Sequence, residues 1–345
     1  MLKRLAAVAG MSALAVVWLV QFAPGSVAVA AQAAAAAAAP PKSAATNGKI
    51  PRTADGKPDL NGYWTDVTFT PMERPAQLGD KAYFTEEEAK AYFAKSVRDE
   101  AARLLEGGIH YPTSQYGMDK GQTGAKMNLR TSLIVDPANG RLPALTPAAQ
   151  QRQAAARAAA GGTRGKMDGP EDRSLFERCI RGTQGPPMLS AAFDNELQII
   201  QTPQHVMLLA QAMNDVRIIP LDGRPHLPAN VRLLLGDSRG HWEGDTLVVD
   251  TTNFNDQANF MGSTRNLHLV ERFTRSAADS ILYRVTVEDP ATWTAPWTYE
   301  LPITRGGRVY EFACHEANLG LANTLSGARE AEKEAAGANG AKPAQ

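Results

Sequence analysis

One acidic residue of this 345-residue chain follows the spacing of an apolar strand face. In the segment Leu267–Thr274, alternate residues point to the same side of a β-strand, and one side carries Leu269, Glu271 and Phe273. Burial of a lone carboxylate is unfavourable unless it is paired or takes up a proton. Two interpretations of Glu271 follow: a structural ion pair with a buried arginine such as Arg217, or a general acid–base in a ligand cavity.

Further residues could complete such a site. His241 and His315 are predicted at strand ends, where the mouth of a barrel would lie, and either could be a second proton carrier near neutral pH. Arg217 would anchor a negative charge of the bound molecule. The other side chains expected to contact a small apolar or aromatic ligand are Tyr283, Trp242, Asp237 and Arg239.

The segment Gly236–Gly240 matches the G-x-S-x-G pattern of α/β-hydrolases. In those enzymes the serine stands on a sharp turn between a strand and a helix. Here a turn and another strand follow, and the chain lacks the alternating strands and helices of a parallel sheet. The segment is therefore interpreted as a polar loop, in which Asp237 caps a turn and Arg239 pairs with a carboxylate.

A metal site is the alternative for the residues that follow. His241, Glu243 and Asp245 alternate, so on a straight strand they would share a face and could hold a metal. Gly244 between the two acids has the chemistry of a turn, which breaks that alternation. The sequence has no other metal-binding or phosphate-binding motif, so neither a metal nor a cofactor is predicted.

The elements that must position these residues are mostly strands. Apolar and β-branched runs alternate with short turns from Asn195 onward, and no long helical pattern lies between them. We predict a mainly antiparallel β fold of about seven or eight strands, barrel-like or a sandwich, because both arrangements hide sheet edges. The strands are predicted at Leu197–Thr202, His205–Gln211, Asp215–Pro220, Leu247–Thr252, Leu267–Arg275, Ile281–Glu288, Trp297–Ile303 and Arg308–Cys314.

Two helices are expected to be appended to this sheet in the N-terminal third. The first is predicted at about 85–106, where Thr85 and Glu88 have the spacing of a capping box. The second is predicted at about 147–160. Together with the strands they are expected to form a single β-rich domain over residues 51–330.

Both ends of the chain are predicted to lie outside this domain. Residues 1–30 have the charged start, apolar stretch and small-residue cleavage pattern of a secretory signal peptide. A membrane anchor is the alternative, but Pro24 and Gly25 interrupt the apolar stretch. Residues 31–50 are predicted to be a disordered Ala/Pro-rich tether and 331–345 a disordered tail. We therefore expect a periplasmic or secreted protein without stable membrane insertion after signal cleavage.

The two cysteines fit this compartment. Cys179 and Cys314 are the only cysteines of the chain, and an oxidising environment favours a disulfide between them. The alternative is a catalytic thiolate at Cys314 beside His315. Neighbouring residues of a strand point to opposite faces, so these two side chains could share a proton only if the strand ended at Cys314.

Five segments of the chain carry a resemblance to known proteins: Pro58–Trp64, Arg217–Pro228, Gly236–Thr252 (with GDSRGHWEGDTLVV), Asn266–Arg275 (NLHLVERFTR) and Ala313–Glu316 (ACHE). They resemble a family of secreted bacterial proteins, usually labelled hypothetical, that has no settled activity. This resemblance implies secretion and one folded unit, and it transfers no catalytic residue. The strand series, with Gly-Tyr-Trp near its start, also resembles lipocalin-like (calycin) barrels.

The charge of the chain narrows the function classes. With 36 basic and 36 acidic residues the formal charge is zero, which excludes a strongly basic nucleic-acid binder. The first prediction is a cofactor-free enzyme, a lyase, isomerase or hydrolase, that acts on a small apolar or aromatic molecule with Glu271 as acid–base. The alternative is a protein that binds such a ligand without chemistry, and a structural or partner-binding role is the third class.

Overall fold

The computed structural model describes residues 49–105, 128–159, 167–182, 185–190, 195–258, 260–316 and 318–340. The predicted signal peptide and nearly all of the predicted tether lie outside these residues. Within them, no helix combines the length and the apolar character that a membrane span requires.

Ten strands form one antiparallel sheet in the described residues. Its order is β5-β4-β3-β1-β10-β9-β8-β7-β6, and β2 pairs with β10 beside this path. The predicted antiparallel β fold is confirmed, but the sheet is not closed, because β5 and β6 are its two unpaired edges. The strands are β1 Gly62–Thr65, β2 Ile134–Asp136, β3 Glu196–Gln201, β4 His205–Ala210, β5 Val216–Pro220, β6 Asp237–Glu243, β7 Thr246–Thr252, β8 His268–Ala277, β9 Ser280–Glu288 and β10 Trp297–Arg305.

The two edge strands approach each other without forming a ladder. A Cβ atom at Gly240 in β6 would lie 2.8 Å from Cγ2 of Ile219 in β5 and 2.6 Å from Cδ2 of Leu221. Because glycine has no side chain, these two apolar groups can cover the backbone of β6. The sheet therefore curls around an interior that both edges enclose.

The core follows the alternation that the sequence predicts for β8 and β9. Leu269, Glu271 and Phe273 point inward from β8 and are buried. In β9, Glu271 lies opposite Val285 and Phe273 lies opposite Tyr283. The predicted phase of these two strands is thus confirmed, and the one carboxylate on the inward face of β8 is fully buried.

Three helices accompany the sheet in the described residues: α1 Glu86–Leu105, α2 Pro147–Ala159 and α3 Leu319–Gly340. The predicted capping box begins α1, since the amide of Glu88 donates to Thr85 Oγ1 at 3.2 Å and the amide of Thr85 donates to Glu88 Oε2 at 2.8 Å. The sequence predicts two helices, and α3 is the additional one.

Helix α3 occupies much of the predicted disordered tail. Its second half is rich in alanine and glutamate, which have high helix propensity. Ion pairs one turn apart add support, with 2.6 Å between Arg329 and Glu332 and 2.7 Å between Lys333 and Glu330.

Two strand predictions need correction. The segment Arg308–Cys314 is not a strand, because β10 already pairs with β1 on one side and β9 on the other. The segment interpreted as a polar loop is strand β6, which pairs with β7 from Asp237 opposite Thr252 to Glu243 opposite Thr246. Its polar residues hide the alternation on which strand prediction depends.

Candidate functional site

Glu271 is the centre of a buried hydrogen-bond network. Its Oε1 accepts from Arg217 Nη1 at 2.9 Å and from the Tyr283 hydroxyl at 2.8 Å. Its Oε2 accepts from Thr251 Oγ1 at 3.2 Å and from Arg217 Nη2. Glu271 is 0% exposed and Arg217 8%. The structure thus shows the buried ion pair that the sequence offered as the first interpretation of Glu271.

The other donors of Arg217 are also paired. Nε donates to Ser238 Oγ at 3.0 Å and Nη2 to Thr251 Oγ1 at 2.7 Å. Each of the strands β5 to β9 supplies one member of this network, in the order Arg217, Ser238, Thr251, Glu271 and Tyr283. Arg217 therefore connects the edge strand β5 to β6, β7 and β8 through side chains, where no ladder connects β5 to β6.

The space next to this network is filled by the protein itself. Met188 is buried, its amide donates to the Tyr283 hydroxyl at 3.2 Å, and its carbonyl accepts from the Tyr299 hydroxyl at 2.6 Å. Burial, and next the charge of Glu271, raise the pKa of both phenols well above the usual value. Both tyrosines are therefore neutral hydrogen-bond donors, and the buried Met188 occupies the space beside them on the inner face of the sheet.

The three residues predicted to be catalytic do not come together. His241 lies on the outer face of β6, exposed, with Nε2 at 3.2 Å from Glu243 Oε1. His315 is exposed in the segment after β10. Glu271 is on the inner face of the sheet, so neither histidine can exchange a proton with it directly.

The remaining predicted contact residues are divided between the two faces of the sheet. Tyr283 and Arg217 face inward, and Trp242 packs against the core with Lys57 Nζ at 5.7 Å from its ring centroid. Asp237 and Arg239 form an ion pair of 2.5 Å on the outer face. The prediction that Arg239 pairs with a carboxylate is thus confirmed.

The two cysteines form the predicted disulfide. Cys179 and Cys314 are bonded and their Cα atoms are 5.7 Å apart. The alternative of a catalytic thiolate at Cys314 is excluded in this state, because the sulfur is already in a covalent bond.

A chain of imidazoles and carboxylates crosses the outer face of β6 to β9. His226 lies between Asp237 and Asp250, at 2.9 Å from each. His268 lies between Asp250 at 2.8 Å and Glu288 at 3.2 Å. All four contacts are hydrogen bonds only when both nitrogens of each ring carry protons. We call these five residues the outer imidazole chain.

The contacts of His268 shift its titration strongly. Its hydrogen bond to Asp250 raises the pKa to about 9, Glu288 adds to the effect, and partial burial opposes it. Partial burial would raise the pKa of Asp250, but the hydrogen bonds and charges of His268 and His226 lower it overall. The two rings contact different oxygens of Asp250.

In the part of the chain that is described, no three His, Cys, Asp or Glu residues are placed to hold a metal.

The sequence analysis did not predict the outer imidazole chain, although the sequence contained one signal for it. His268 and Glu288 lie opposite each other in the register of β8 and β9, on the face away from Glu271. The predicted strand phase therefore placed both on the outer face. His226 comes from the connection between β5 and β6, and no strand periodicity could place it on the outer face.

A second missed site is a small cleft, partly open to solvent, beside helix α1. Two aromatic pairs wall it: Phe69 and Phe93 with ring centroids 4.9 Å apart, and Phe84 and Tyr92 with centroids 5.1 Å apart. All four rings are only partly buried. We call this site the aromatic cleft, and its other lining residues are Thr70, Ala89, Asn128 and Arg130.

The polar end of the aromatic cleft has unmet hydrogen-bonding capacity. Asn128 Oδ1 accepts from the Arg130 amide at 3.1 Å, whereas Asn128 Nδ2 is buried and has no hydrogen-bond partner within the described part of the chain. The Arg130 guanidinium lies 5.1 Å from the ring centroid of Tyr83 and 2.8 Å from Glu300 Oε2. This end of the cleft therefore presents donors and a cation.

Comparison with known proteins gives little further information. No protein-family model matches the chain, and no curated protein matches it. The resemblance to a family of secreted bacterial proteins therefore stays a prediction. A crystal structure of a secretary abundant heat soluble (SAHS) protein from Ramazzottius varieornatus aligns with 12% sequence identity over 39% of this chain and 89% of that chain, at a TM-score of 0.23. That TM-score is too low to support an argument about fold or function.

Proposed function

We propose that the protein binds a small apolar or aromatic molecule in the aromatic cleft and does not convert it chemically. The supporting observation is the set of four partly exposed rings around one concave site. Ligand sites are concave, mostly apolar and lined by aromatic side chains with a few polar groups. Phe69, Phe84, Tyr92 and Phe93 supply the apolar walls, and Asn128 and Arg130 the polar groups.

Acid–base catalysis at Glu271 has much weaker support. Both of its oxygens already accept hydrogen bonds from Arg217, Tyr283 or Thr251. A substrate would have to displace Met188 and then break the ion pair, leaving a buried charge unpaired. Binding in the cleft requires neither step.

We infer that this binding takes place in the periplasm or outside the cell. The disulfide between Cys179 and Cys314 supports an oxidising compartment, since such bonds are rare in the cytosol. The predicted signal peptide over residues 1–30 agrees with that location.

Titration with fluorescent naphthalene derivatives tests the proposal, together with mass spectrometry of small molecules that copurify with the protein. The variant Phe93→Ala removes one wall of the cleft and is expected to weaken naphthalene binding by about tenfold or more. The matched control is Phe312→Ala, which removes a partly buried ring at a distant site near the disulfide. Equal affinities of the native protein and Phe93→Ala would refute the proposal, as would a lack of binding by the native protein.

A further inference from the structure

The available polar groups of Asn128 and Arg130, at one end of the aromatic cleft, are hydrogen-bond donors. Of the described residues that line it, Arg130 is the only charged one, and a guanidinium has donors and no acceptor. The one amide acceptor, Asn128 Oδ1, is taken by the Arg130 amide at 3.1 Å, while its Nδ2 donor is unpaired. Thr70 and Tyr92 carry the remaining polar groups, two hydroxyls that can donate or accept. A ligand that pairs with Asn128 Nδ2 and the Arg130 guanidinium must therefore offer acceptor atoms.

Arg130 shares its carboxylate partner with a second arginine. Glu300 is the carboxylate that pairs with Arg130, at 2.8 Å, and it pairs at the same time with Arg284 at 3.1 Å. Two guanidinium groups therefore share one carboxylate, which leaves one positive charge uncompensated within this group. A small anion at Arg130 would restore neutrality without displacing Glu300, because a guanidinium has several N–H groups.

A further arginine interacts electrostatically with Arg130. Arg74 is 4% exposed; its Nε donates to Thr131 Oγ1 at 3.0 Å and its Nη2 to the Ala138 carbonyl at 3.2 Å. Its Nη1 is buried and has no hydrogen-bond partner among the described residues. Burial lowers the pKa of Arg74, and the charges of Arg141 and Arg130 add to this, while Asp80 acts against them. Arg74 is thus close enough to Arg130 to be influenced by its charge.

From this geometry we propose that the ligand of the aromatic cleft is a flat aromatic carboxylate whose carboxylate pairs with Arg130. The proposal rests on the proposed function and adds the chemical class of the ligand. The rings of the cleft would contact the faces and edges of the ligand, and the planar guanidinium would bind both carboxylate oxygens. Neutral aromatic molecules would contact the rings of the cleft but would not pair with the positive charge of Arg130.

The test compares 2-naphthoate with the isosteric, neutral 2-naphthamide on the full-length protein by fluorescence titration. We expect 2-naphthoate to bind about tenfold or more tightly than the amide, and Arg130→Gln to remove most of this preference. The matched control is Arg141→Gln, which removes a nearby positive charge that does not line the cleft and should leave most of the preference in place.

The outcomes separate the two proposals. Equal affinities for 2-naphthoate and 2-naphthamide in the native protein, both weakened by Phe93→Ala, would overturn the carboxylate inference and leave the cleft as a binding site. A preference for 2-naphthoate that survives Arg130→Gln would also overturn it. Binding of neither probe would refute the proposed function itself. Circular dichroism spectra like that of the native protein would show that Arg130→Gln is folded.

Discussion

The buried network around Glu271 and the aromatic cleft both combine an arginine with aromatic side chains, but they differ in how completely their hydrogen bonds are formed. In the interior, Arg217 and Glu271 bind each other through two contacts, and Thr251 and Tyr283 complete them. In the cleft, a buried amide donor of Asn128 has no hydrogen-bond partner among the residues that the structure describes. A closed set of hydrogen bonds stabilises the fold, whereas an open set leaves a ligand something to bind.

The largest effect that would test this comparison is expected at Arg217. The variant Arg217→Met leaves the Glu271 carboxylate buried without its cation, and loss of one partner of a buried pair costs about 3–5 kcal/mol of unfolding free energy. Urea denaturation monitored by circular dichroism measures it. Naphthoate affinity of the folded fraction should remain that of the native protein, because the cleft is formed by other residues.

A double variant provides the control. Arg217→Met combined with Glu271→Leu removes both charges and is expected to recover most of the lost stability, since apolar replacements of a whole buried pair are often neutral. If Arg217→Met instead abolished ligand binding while stability was unchanged, the interior would be the functional site and the comparison would be reversed.

Removal of a single hydroxyl group is expected to have a smaller effect on the unfolding free energy. Tyr283→Phe removes the donor to Glu271 and the acceptor of the Met188 amide, and the unsatisfied groups that remain should cost about 1–3 kcal/mol. Tyr92→Phe, on the wall of the cleft, is expected to change the unfolding free energy by less than about 0.5 kcal/mol. Urea denaturation of the two variants without ligand measures both values, and equal losses would contradict the proposed difference between the regions.

The smallest effect on the unfolding free energy is expected at the outer imidazole chain, and this effect depends on pH. The folded state raises the pKa of His268 from 6.5 to about 9, so its contribution to stability is complete below pH 6.5 and is lost as the pH rises through about 9. Because the side chain is about one-third exposed, we expect a gain of only about 1 kcal/mol after solvent screening.

The variant His268→Gln should therefore be less stable than the native protein at pH 6.5 and nearly equal to it at pH 10, as measured by urea denaturation across this range. His241→Gln is the matched control, because this exposed histidine contacts, among the described residues, a single carboxylate, that of Glu243. A constant difference between His268→Gln and the native protein at every pH would show that the ring acts through packing alone.

The interior was largely predictable from the sequence. Alternation along β8 placed Glu271 among Leu269 and Phe273, and the unfavourable burial of a charge required a partner, for which Arg217 was named. Both inferences use local periodicity and one strong energetic rule. The openness of the sheet was not predictable in this way, because closure depends on whether β5 and β6 meet, and they are joined by a long connection.

The aromatic cleft was not predictable for a different reason. Phe93 belongs to the apolar stripe of α1, and such a stripe indicates burial without showing whether the opposite side is filled. The other walls come from Phe69 before the helix and from Asn128 and Arg130 after it. No spacing rule links these segments, so the cavity between them appears only in the folded chain.

The disulfide has a consequence for the C-terminal helix. Cys314 lies just before α3, and its bond to Cys179 attaches that part of the chain to the body independently of the backbone. A protease that cuts after Tyr310, which is 70% exposed, would therefore produce two polypeptides that stay together as one covalent molecule. Only a reducing agent would then release the fragment that carries α3.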